Sequence, residues 1–267
     1  MSHQLAYIHP DAKIGKDVIV SPFAYIAGNV IIGDGTWIGP NTTILDGARI
    51  GKNCKVFPGA VISAIPQDLK FKGEETTAEI GDNTTMRECV TVNRGTASRG
   101  KTVIGNNCLL MAYVHVGHDC VLGNDIILGN GTQVAGEVEI DDWAIVSAHS
   151  LIHQFERIGA HVMVQGGSKI NKDIPPFIIA AREPITFAGI NIIGLRRRGF
   201  TAQQIGEIQE IYRNLYNKGM NVSQALNFIE ENLPHTKDRD LIVNFIKSSK
   251  RGVVREYTGS DPDEGLD

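Results

Sequence analysis

Histidine is the side chain best suited to proton transfer at neutral pH, and this sequence distributes its histidines unevenly. The chain has eight of them, and five fall between residues 115 and 161. His118 is followed directly by Asp119, and a carboxylate beside an imidazole can orient it as a general base. His115 with His118, or His149 with His153, could instead bind zinc, although neither pair comes with a stable helix or with cysteine ligands. These residues are the first candidates for catalysis or metal binding.

The elements that must position these side chains are very short, because aliphatic residues recur at every sixth position from Ile8 to Ile170. Within that stretch the period fails only at Asp68, Glu74 and Ser98. A helix cannot keep a period of six on one face, whereas a solenoid of short strands and turns can. The sequence therefore predicts a hexapeptide-repeat solenoid.

This period resembles that of the left-handed parallel β-helix, in which three hexads form one triangular coil of eighteen residues. The predicted fold class is mainly β, a left-handed parallel β-helix with a C-terminal α-helical cap. Residues eighteen apart then stack in columns, because adjacent coils lie roughly 4.8 Å apart. His118, Gly136 and Gln154 fall on one column, with His153 beside Gln154. A general base next to a backbone N–H that can hold an oxyanion suits acyl transfer.

The composition gives no sign of a nucleic-acid or membrane partner and indicates a reducing compartment. A net charge of −4 over 267 residues gives no sign of a nucleic-acid partner. No apolar run is long enough to cross a bilayer, and no signal peptide is recognisable, so we expect a cytoplasmic protein. Cys54, Cys108 and Cys120 take small inward positions of their hexads, and no CxxC pair occurs. Such cysteines suit a reducing compartment.

The repeats predict a β-helix domain over residues 1–176, with two polar breaks that form loops. The first loop lies near residues 63–79 and the second near 97–103. Long loops inside compact domains are usually functional. Both breaks preserve the period of six, so the period cannot tell which residues leave the solenoid.

After Pro175 and Pro176 the period of six stops, and a helical period predicts a C-terminal helical domain over residues 177–256. The three predicted helices begin near Thr201, Ser223 and Asp238. Residues 257–267 carry four acidic side chains and no basic one. We expect them to form a disordered acidic tail.

Six segments, taken in order, resemble the UDP-N-acetylglucosamine O-acyltransferases of lipid A biosynthesis. They are QDLKFKGE (67–74), RECVTVNRGT (87–96), HVGHDC (115–120), LIHQF (151–155), IGAHVMV (158–164) and NIIGLRRRGF (191–200). The resemblance runs to about residue 255 and includes the helical cap. It implies transfer of an (R)-3-hydroxyacyl group from acyl carrier protein to the 3-hydroxyl of UDP-N-acetylglucosamine, the first step of lipid A biosynthesis. It also implies that no cofactor is needed beyond the phosphopantetheine of the carrier protein, and no metal.

The resemblance implies three catalytic roles. His118 would be the general base that deprotonates the sugar hydroxyl for attack on the thioester. Asp119 would orient that imidazole, and Gly136 would present its backbone N–H to the oxyanion. On the residues alone, Asp119 could equally be a surface turn residue and Gly136 a turn glycine.

The resemblance also implies a set of substrate-binding residues. Asp68 would bind sugar hydroxyls, and Lys70 and His115 would lie near phosphate or pantetheine groups. The nucleotide would contact His153 and Gln154, and its diphosphate would be bound from the cap side by Asn191, Arg197 and Arg198. Arginine suits a diphosphate because its planar fork donates two hydrogen bonds at once. Taken alone, the loop charges and the arginine run could be ordinary solvated groups.

The sequence departs from the family pattern at three positions that flank the sugar or the nucleotide. Asn93 and Glu137 each stand where the family has histidine, and Ile193 stands where it has glutamate. Asn93 and Glu137 remain expected substrate-binding positions, and Glu137 could replace the missing histidine with a hydrogen bond to the sugar. None of the three is the expected base, so the reaction itself is expected to be unchanged.

Donor length and partners follow from the same resemblance. Gly166 stands at the position that limits acyl-chain length in the family, and glycine there implies a long 3-hydroxyacyl chain. The donor is expected to be acyl carrier protein, which is acidic. Residues 180–256 carry a local charge of +4 and could attract it electrostatically. The resemblance also implies a homotrimer with active sites between subunits. The alternatives are N-acyl transfer to a UDP-amino sugar, a metal-dependent hydratase of the same fold, and a non-catalytic trimeric scaffold.

Overall fold

The chain folds into a left-handed parallel β-helix whose three flat faces are parallel sheets. The structure is a computed structural model that describes residues 4–216 and 219–256; the predicted acidic tail, 257–267, lies outside the described residues. Each hexad supplies one short strand, and successive strands go to the first, second and third sheet in turn. The expected mainly β fold is confirmed.

The strands are mostly two residues long, because each face of the triangle takes only one hexad. The first sheet contains Tyr7–Ile8, Tyr25–Ile26, Thr43–Ile44, Val61–Ala64, Thr91–Asn93, His115–Val116, Gln133–Val134, Leu151–Ile152 and Lys169–Ile170. The second contains Lys13–Ile14, Ile31–Ile32, Ala48–Ile50, Thr77–Ile80, Lys101–Ile104, Val121–Leu122, Glu139–Ile140 and Arg157–Ile158. The third contains Ile19–Val20, Trp37–Ile38, Lys55–Val56, Thr85–Met86, Leu109–Leu110, Ile127–Leu128, Ile145–Val146, Met163–Val164, Ile178–Ala181 and Thr186–Ile190.

Three rows of turns connect these sheets, and they are named here as corners. The first corner joins the first sheet to the second and includes residues 117–120, 135–138 and 153–156. The second corner joins the second sheet to the third and includes residues 123–126, 141–144 and 159–162. The third corner returns to the first sheet and includes residues 129–132, 147–150 and 165–168.

The strand register shows how the two polar breaks are accommodated. Strand partners are normally eighteen residues apart, as His115 is from Gln133. Across the first break Ile50 pairs with Ile80, thirty residues on, so this coil carries twelve extra residues. Across the second, Ile80 pairs with Ile104, so that coil carries six extra. Both insertions are whole multiples of six, which is why the aliphatic period survives them.

The interior of the solenoid is a column of the repeating aliphatic side chains. Ile26, Ile44, Val116 and Val134 are each fully buried, like most positions of the six-residue period. Cys54, Cys108 and Cys120 are buried among them, as their inward hexad positions predict. Burial raises the pKa of the Cys108 thiol to about 11 and that of Cys120 to about 12, so both are protonated packing residues.

The region after Pro176 is not helical from its start. Strands Ile178–Ala181 and Thr186–Ile190 form an antiparallel hairpin that extends the third sheet. A short helix, α1 (Ile192–Arg197), follows it. The sequence predicted only helices in this region, and that prediction is wrong for these two strands. They are too short to show the alternation that would distinguish a strand from a loop.

The remaining helices begin close to their predicted starts, since capping residues mark them. Helix α2 is Ala202–Tyr216, α3 is Val222–Asn232 and α4 is Lys237–Ser248. Asn221 caps α3 by accepting the Gln224 N–H, and Thr236 caps α4. Among residues 4–216 and 219–256, no helix is both long and apolar enough to span a membrane.

Candidate active site

The imidazole of His118 is held at the first corner by the carboxylate of Asp119. Its Nδ1 lies 2.8 Å from Asp119 Oδ2. The His118 side chain is 13% exposed and that of Asp119 is fully buried. The two residues predicted as base and orienting acid are therefore in direct contact.

Asp119 is itself fixed by the second inserted loop. The hydroxyl of Thr96 donates to its carboxylate at 2.7 Å, and the Thr96 and Arg99 N–H groups donate at 3.0 and 3.1 Å. Burial raises the pKa of Asp119, but the hydrogen bonds from Thr96, His118 and Arg99 outweigh it and leave that pKa below its ordinary value. The carboxylate is ionised at neutral pH and accepts the Nδ1 proton. The lone pair of His118 is therefore on Nε2.

Gly136, in the next coil, packs against the ring of His118. A Cβ atom at this position would lie 2.5 Å from His118 Nε2 and 2.6 Å from Cε1, so any side chain here would displace the ring. Gly136 is buried, and no described residue accepts a hydrogen bond from its N–H. A buried, unpaired N–H beside a base can hold an anionic oxygen.

The loop of residues 65–76 brings a second carboxylate to His118. Asp68 Oδ2 lies 3.9 Å from Nε2, the nitrogen that faces away from Asp119. Oδ1 of Asp68 accepts the N–H of Lys70 at 2.9 Å, and the Asp68 carbonyl accepts the N–H of Phe71 at 3.0 Å. A hydroxyl placed between Asp68 and Nε2 could contact both groups.

This loop is attached to the β-helix by two neighbouring residues. Asn93 is 3% exposed, and its side-chain amide donates to the Ile65 carbonyl at 3.1 Å. The guanidinium of Arg94 lies 5.5 Å from the ring centre of Phe71 and donates to the Asp46 carbonyl at 3.1 Å. Asn93, predicted to bind substrate, is thus already engaged in holding the loop.

These groups line one cleft of about 680 Å³, a size typical of small-molecule sites. Its lining includes eight of the predicted residues: Asp68, Lys70, Asn93, His115, His118, Gly136, Glu137 and Gln154. Leu69, Leu151 and Phe155 add apolar surface, and all three are exposed. The cleft therefore combines a base, an open N–H and apolar walls.

His115 enters the cleft from the first sheet as a neutral group. Its Nδ1 lies 2.7 Å from the hydroxyl of Thr91. Burial, and then the neighbouring His118, lower the pKa of His115. At neutral pH the ring can exchange hydrogen bonds with a ligand but does not carry a positive charge.

The predicted diphosphate-binding residues are not at this cleft within one chain. Asn191 donates to the His161 carbonyl at 2.9 Å, and Arg198 Nη1 lies 3.4 Å from His161 Nδ1. Both residues therefore lie at the second corner, whereas His118 is at the first. The exposed Arg197 ends α1 on the same side. Burial, and then Arg198, lower the pKa of His161 to about 4, so this ring is neutral.

Gly166 and His153 also lie outside the cleft lining. Gly166 is at the third corner, where an added Cβ would lie 3.2 Å from the Ala148 carbonyl. His153 is at the first corner beside Gln154, with its Nδ1 3.4 Å from Arg251 Nη2.

The geometry does not favour the zinc alternatives. His149 is at the third corner and His153 at the first, on opposite sides of the first sheet. Among the described residues, no three His, Cys, Asp or Glu side chains are grouped as metal ligands.

Sequence reasoning missed the residues that support the base and the loop. Thr96 and Arg99 hold Asp119 from twenty or more positions away, and Arg94 and Phe71 hold the loop. The only available signal was indirect, because all four lie in or next to the two polar breaks.

Two family models match parts of this chain. The family model described as "Udp N-acetylglucosamine O-acyltransferase; Domain 2" matches residues 173–254. The model for bacterial transferase hexapeptide repeats matches residues 29–64 and 101–136.

Relatives match over almost the whole chain. The acyl-[acyl-carrier-protein]–UDP-N-acetylglucosamine O-acyltransferase of Ectopseudomonas mendocina is 46% identical over 94% of this chain and 97% of its own. The crystal structure of the UDP-N-acetylglucosamine acyltransferase LpxA from Bacteroides fragilis is 58% identical, with a TM-score of 0.94, over 96% of this chain and 100% of that one. The Francisella novicida UDP-N-acetylglucosamine acyltransferase is 42% identical, also with a TM-score of 0.94, over 97% and 95% of the two chains. This chain therefore belongs to the acyl-[acyl-carrier-protein]–UDP-N-acetylglucosamine O-acyltransferase family.

Proposed function

We propose that this protein transfers an (R)-3-hydroxyacyl group from acyl carrier protein to the 3-hydroxyl of UDP-N-acetylglucosamine, the first step of lipid A biosynthesis. The observation that carries the proposal is the arrangement at the first corner. There the His118–Asp119 pair packs against Gly136, whose N–H has no acceptor among the described residues, inside a cleft of about 680 Å³. Family membership supplies the two substrates.

The chemistry follows from the positions of these groups. Nε2 of His118 takes the proton of the sugar hydroxyl while that oxygen attacks the thioester carbonyl. The negative charge that develops on the carbonyl oxygen is stabilised by the N–H of Gly136. When the intermediate collapses, the carbon–sulfur bond breaks, and the imidazolium returns its proton to the departing thiolate of phosphopantetheine. The ionised Asp119 stabilises the imidazolium throughout.

Substrate binding is proposed to involve two copies of the chain. Asp68 and Gln154 would contact the sugar nucleotide in the cleft, while Asn191 and Arg198 lie at a different corner of the same chain. One site can use both sets only if a second copy presents its second corner to the first corner of its neighbour. A homotrimer with the active sites between subunits satisfies this requirement.

The remaining proposals concern the setting of the reaction. The described groups at the cleft supply base, orienting acid and oxyanion donor, so the proposed reaction needs no metal and no cofactor beyond the carrier-bound phosphopantetheine. A cytoplasmic location suits the four unpaired cysteines, of which three are buried.

The experiment is a transfer assay with purified protein, 3-hydroxyacyl carrier proteins of graded chain length, and either UDP-N-acetylglucosamine or its 3-amino analogue. We expect ester formation with the former by the parent and a large loss in His118→Ala. His9→Ala, a matched change at a partly exposed histidine of the N-terminal coils, should be unaffected. Amide formation in preference to ester would instead support the amino-sugar alternative, and full activity of His118→Ala would exclude the proposed mechanism.

Acyl-chain length is proposed to be limited by Gly166. At the third corner an added Cβ would lie 3.2 Å from the Ala148 carbonyl oxygen and 3.7 Å from Ser147 Cβ, so a larger side chain fits after a shift of a few tenths of an ångström. In the same assay, Gly166→Met should shift the preferred donor to a shorter chain. An unchanged preference would contradict the assignment.

A further inference from the structure

A carboxylate interrupts the apolar interior of the β-helix directly behind the cleft. Glu156 occupies the inward hexad position that is filled by Ser150 and Val162 in the neighbouring hexads. Its side chain is fully buried. Burial raises the pKa of Glu156, Arg251 opposes that shift, and the nearby Asp173 adds to it. A charge in this position requires a partner, because an isolated buried carboxylate is strongly destabilised.

The partner comes from the far end of the chain. Arg251 Nε lies 2.6 Å from Glu156 Oε1. The same guanidinium reaches His153, with Nη2 3.4 Å from Nδ1, across 98 positions of sequence. One side chain thus contacts both ends of the turn formed by residues 153–156.

The segment that carries Arg251, residues 250–254, is fastened to the last coil of the β-helix. We name it the C-terminal strap. The Asp173 N–H donates to the Gly252 carbonyl, and the Val254 N–H donates to the Asp173 carbonyl, each at 3.0 Å. Lys172 Nζ donates to the Arg251 carbonyl at 2.7 Å. These bonds fix the backbone from which the guanidinium extends.

The turn between the two contacts forms one wall of the reaction cleft. Gln154 and Phe155 line it, and both lie between His153 and Glu156 in sequence. Phe155 and Arg251 also line an adjoining cavity of about 540 Å³. A movement of Glu156 toward water would therefore carry Gln154 with it.

We propose that Arg251 is a positioning residue for the sugar-nucleotide side of the cleft. Its ion pair with Glu156 keeps the turn of residues 153–156 seated, and thereby sets where Gln154 meets the substrate. Removing Arg251 leaves a buried carboxylate that reaches water only if the turn lifts. When both charged groups are replaced, no buried carboxylate remains, and the turn has no reason to lift toward water. The assay that tests this role rests on the proposed function, whereas the contacts of Arg251 do not depend on it.

The test compares Arg251→Gln, Arg251→Lys and the double variant Glu156→Gln/Arg251→Gln in the transfer assay. For Arg251→Gln we expect the KM for UDP-N-acetylglucosamine to rise about tenfold, with a smaller change in kcat because the His118 pair is untouched. Arg251→Lys should keep most of the parent KM. The double variant should return KM to within about threefold of the parent, since replacing both members of an ion pair whose carboxylate is buried is far better tolerated than leaving that carboxylate alone.

A matched control separates this effect from a general loss of charge in the cap. Lys247→Gln removes a cation whose pair with Glu230 is exposed, and it should leave both constants unchanged. A KM in Arg251→Gln equal to the parent, or a double variant as impaired as the single one, would overturn the proposal. If Arg251→Gln does not fold, the double variant decides: it must fold and keep its KM. A parent without transfer activity would count against the proposed function instead.

Discussion

Nδ1 of His118 lies 2.8 Å from Oδ2 of Asp119, and Thr96 donates its hydroxyl to that same oxygen at 2.7 Å. The carboxylate therefore cannot turn away from the imidazole without breaking a second, buried hydrogen bond. This fixes which ring nitrogen is protonated, and it leaves Nε2 directed toward the cleft and Asp68.

Asp119→Asn should test the importance of that tautomer. The amide has the same shape but no charge, and its NH₂ group can force Nδ1 to accept a hydrogen bond, which would place the proton on Nε2. We expect kcat to fall by about 10²- to 10⁴-fold, the usual range for loss of general base catalysis. Steady-state kinetics measures this. Asp11→Asn, at a carboxylate 83% exposed near the N-terminus, is the control and should behave like the parent.

Gly136→Ala should displace the His118 ring from the oxyanion N–H without unfolding the chain, because alanine keeps its backbone N–H but adds a methyl beside the ring. The added methyl would stand 2.5 Å from His118 Nε2, so the ring must move into the open cleft. We expect kcat to drop by about 10²- to 10³-fold, because the displaced imidazole can no longer act as a general base beside the oxyanion donor. Gly206→Ala places a methyl in open space on α2 and should retain activity. A Gly136→Ala enzyme with parental kcat would show that neither contact matters.

Phe71→Ala should loosen the loop that carries Asp68. The variant loses the stack of Arg94 on the aromatic ring, a contact worth about 0.5–1 kcal/mol at a partly exposed site. We expect a several-fold higher KM for UDP-N-acetylglucosamine and a smaller effect on kcat. Phe23→Ala, which removes an exposed ring at the N-terminal end, controls for lost aromatic surface. Identical KM values in the two variants would contradict a role for the Arg94–Phe71 contact.

The stability of the fold should fall as the solution is acidified through the range set by His161. Its pKa is lowered to about 4, by burial first and by Arg198 second, with Asp142 opposing. The unfolded chain binds a proton at this residue below its ordinary pKa near 6.5, while the folded chain does not. Stability contributed by the neutral ring is therefore complete above about pH 6.5 and is lost as pH falls toward 4.

Urea unfolding of the parent and of His161→Phe at pH 7 and pH 5 measures this contribution. Phenylalanine occupies equivalent left-handed corner positions at Phe155 and Phe177, so the backbone tolerates it. The parent should lose more stability between the two pH values than the variant does. His9→Phe, at a partly exposed site, should retain the parental pH dependence. Equal losses in the parent and His161→Phe would assign the acid sensitivity to other groups.

The sequence by itself determined the repeating architecture and which residues share the column of His118, Gly136 and Gln154. A period of six is a local property, and once coils of eighteen residues are assumed, His118, Gly136 and Gln154 must fall on one edge. The structure places all three in one cleft. The starts of the helices could also be predicted from the sequence, because a capping residue binds backbone N–H groups within the first turn of its own helix.

Only the tertiary structure decided what supports that column and which predicted residues share a site. The insertions of twelve and six residues leave the period unchanged, so the pairing of Ile50 with Ile80, and the contact of Thr96 with Asp119, could not be read from the period. A linear motif also does not reveal which corner of the triangle a residue occupies. Arg198 lies at the second corner and His118 at the first, because corner assignment depends on how strands are distributed among three faces. Arg251 and His153 are in contact although 98 positions separate them in the sequence, and a local sequence pattern cannot predict a contact at that separation.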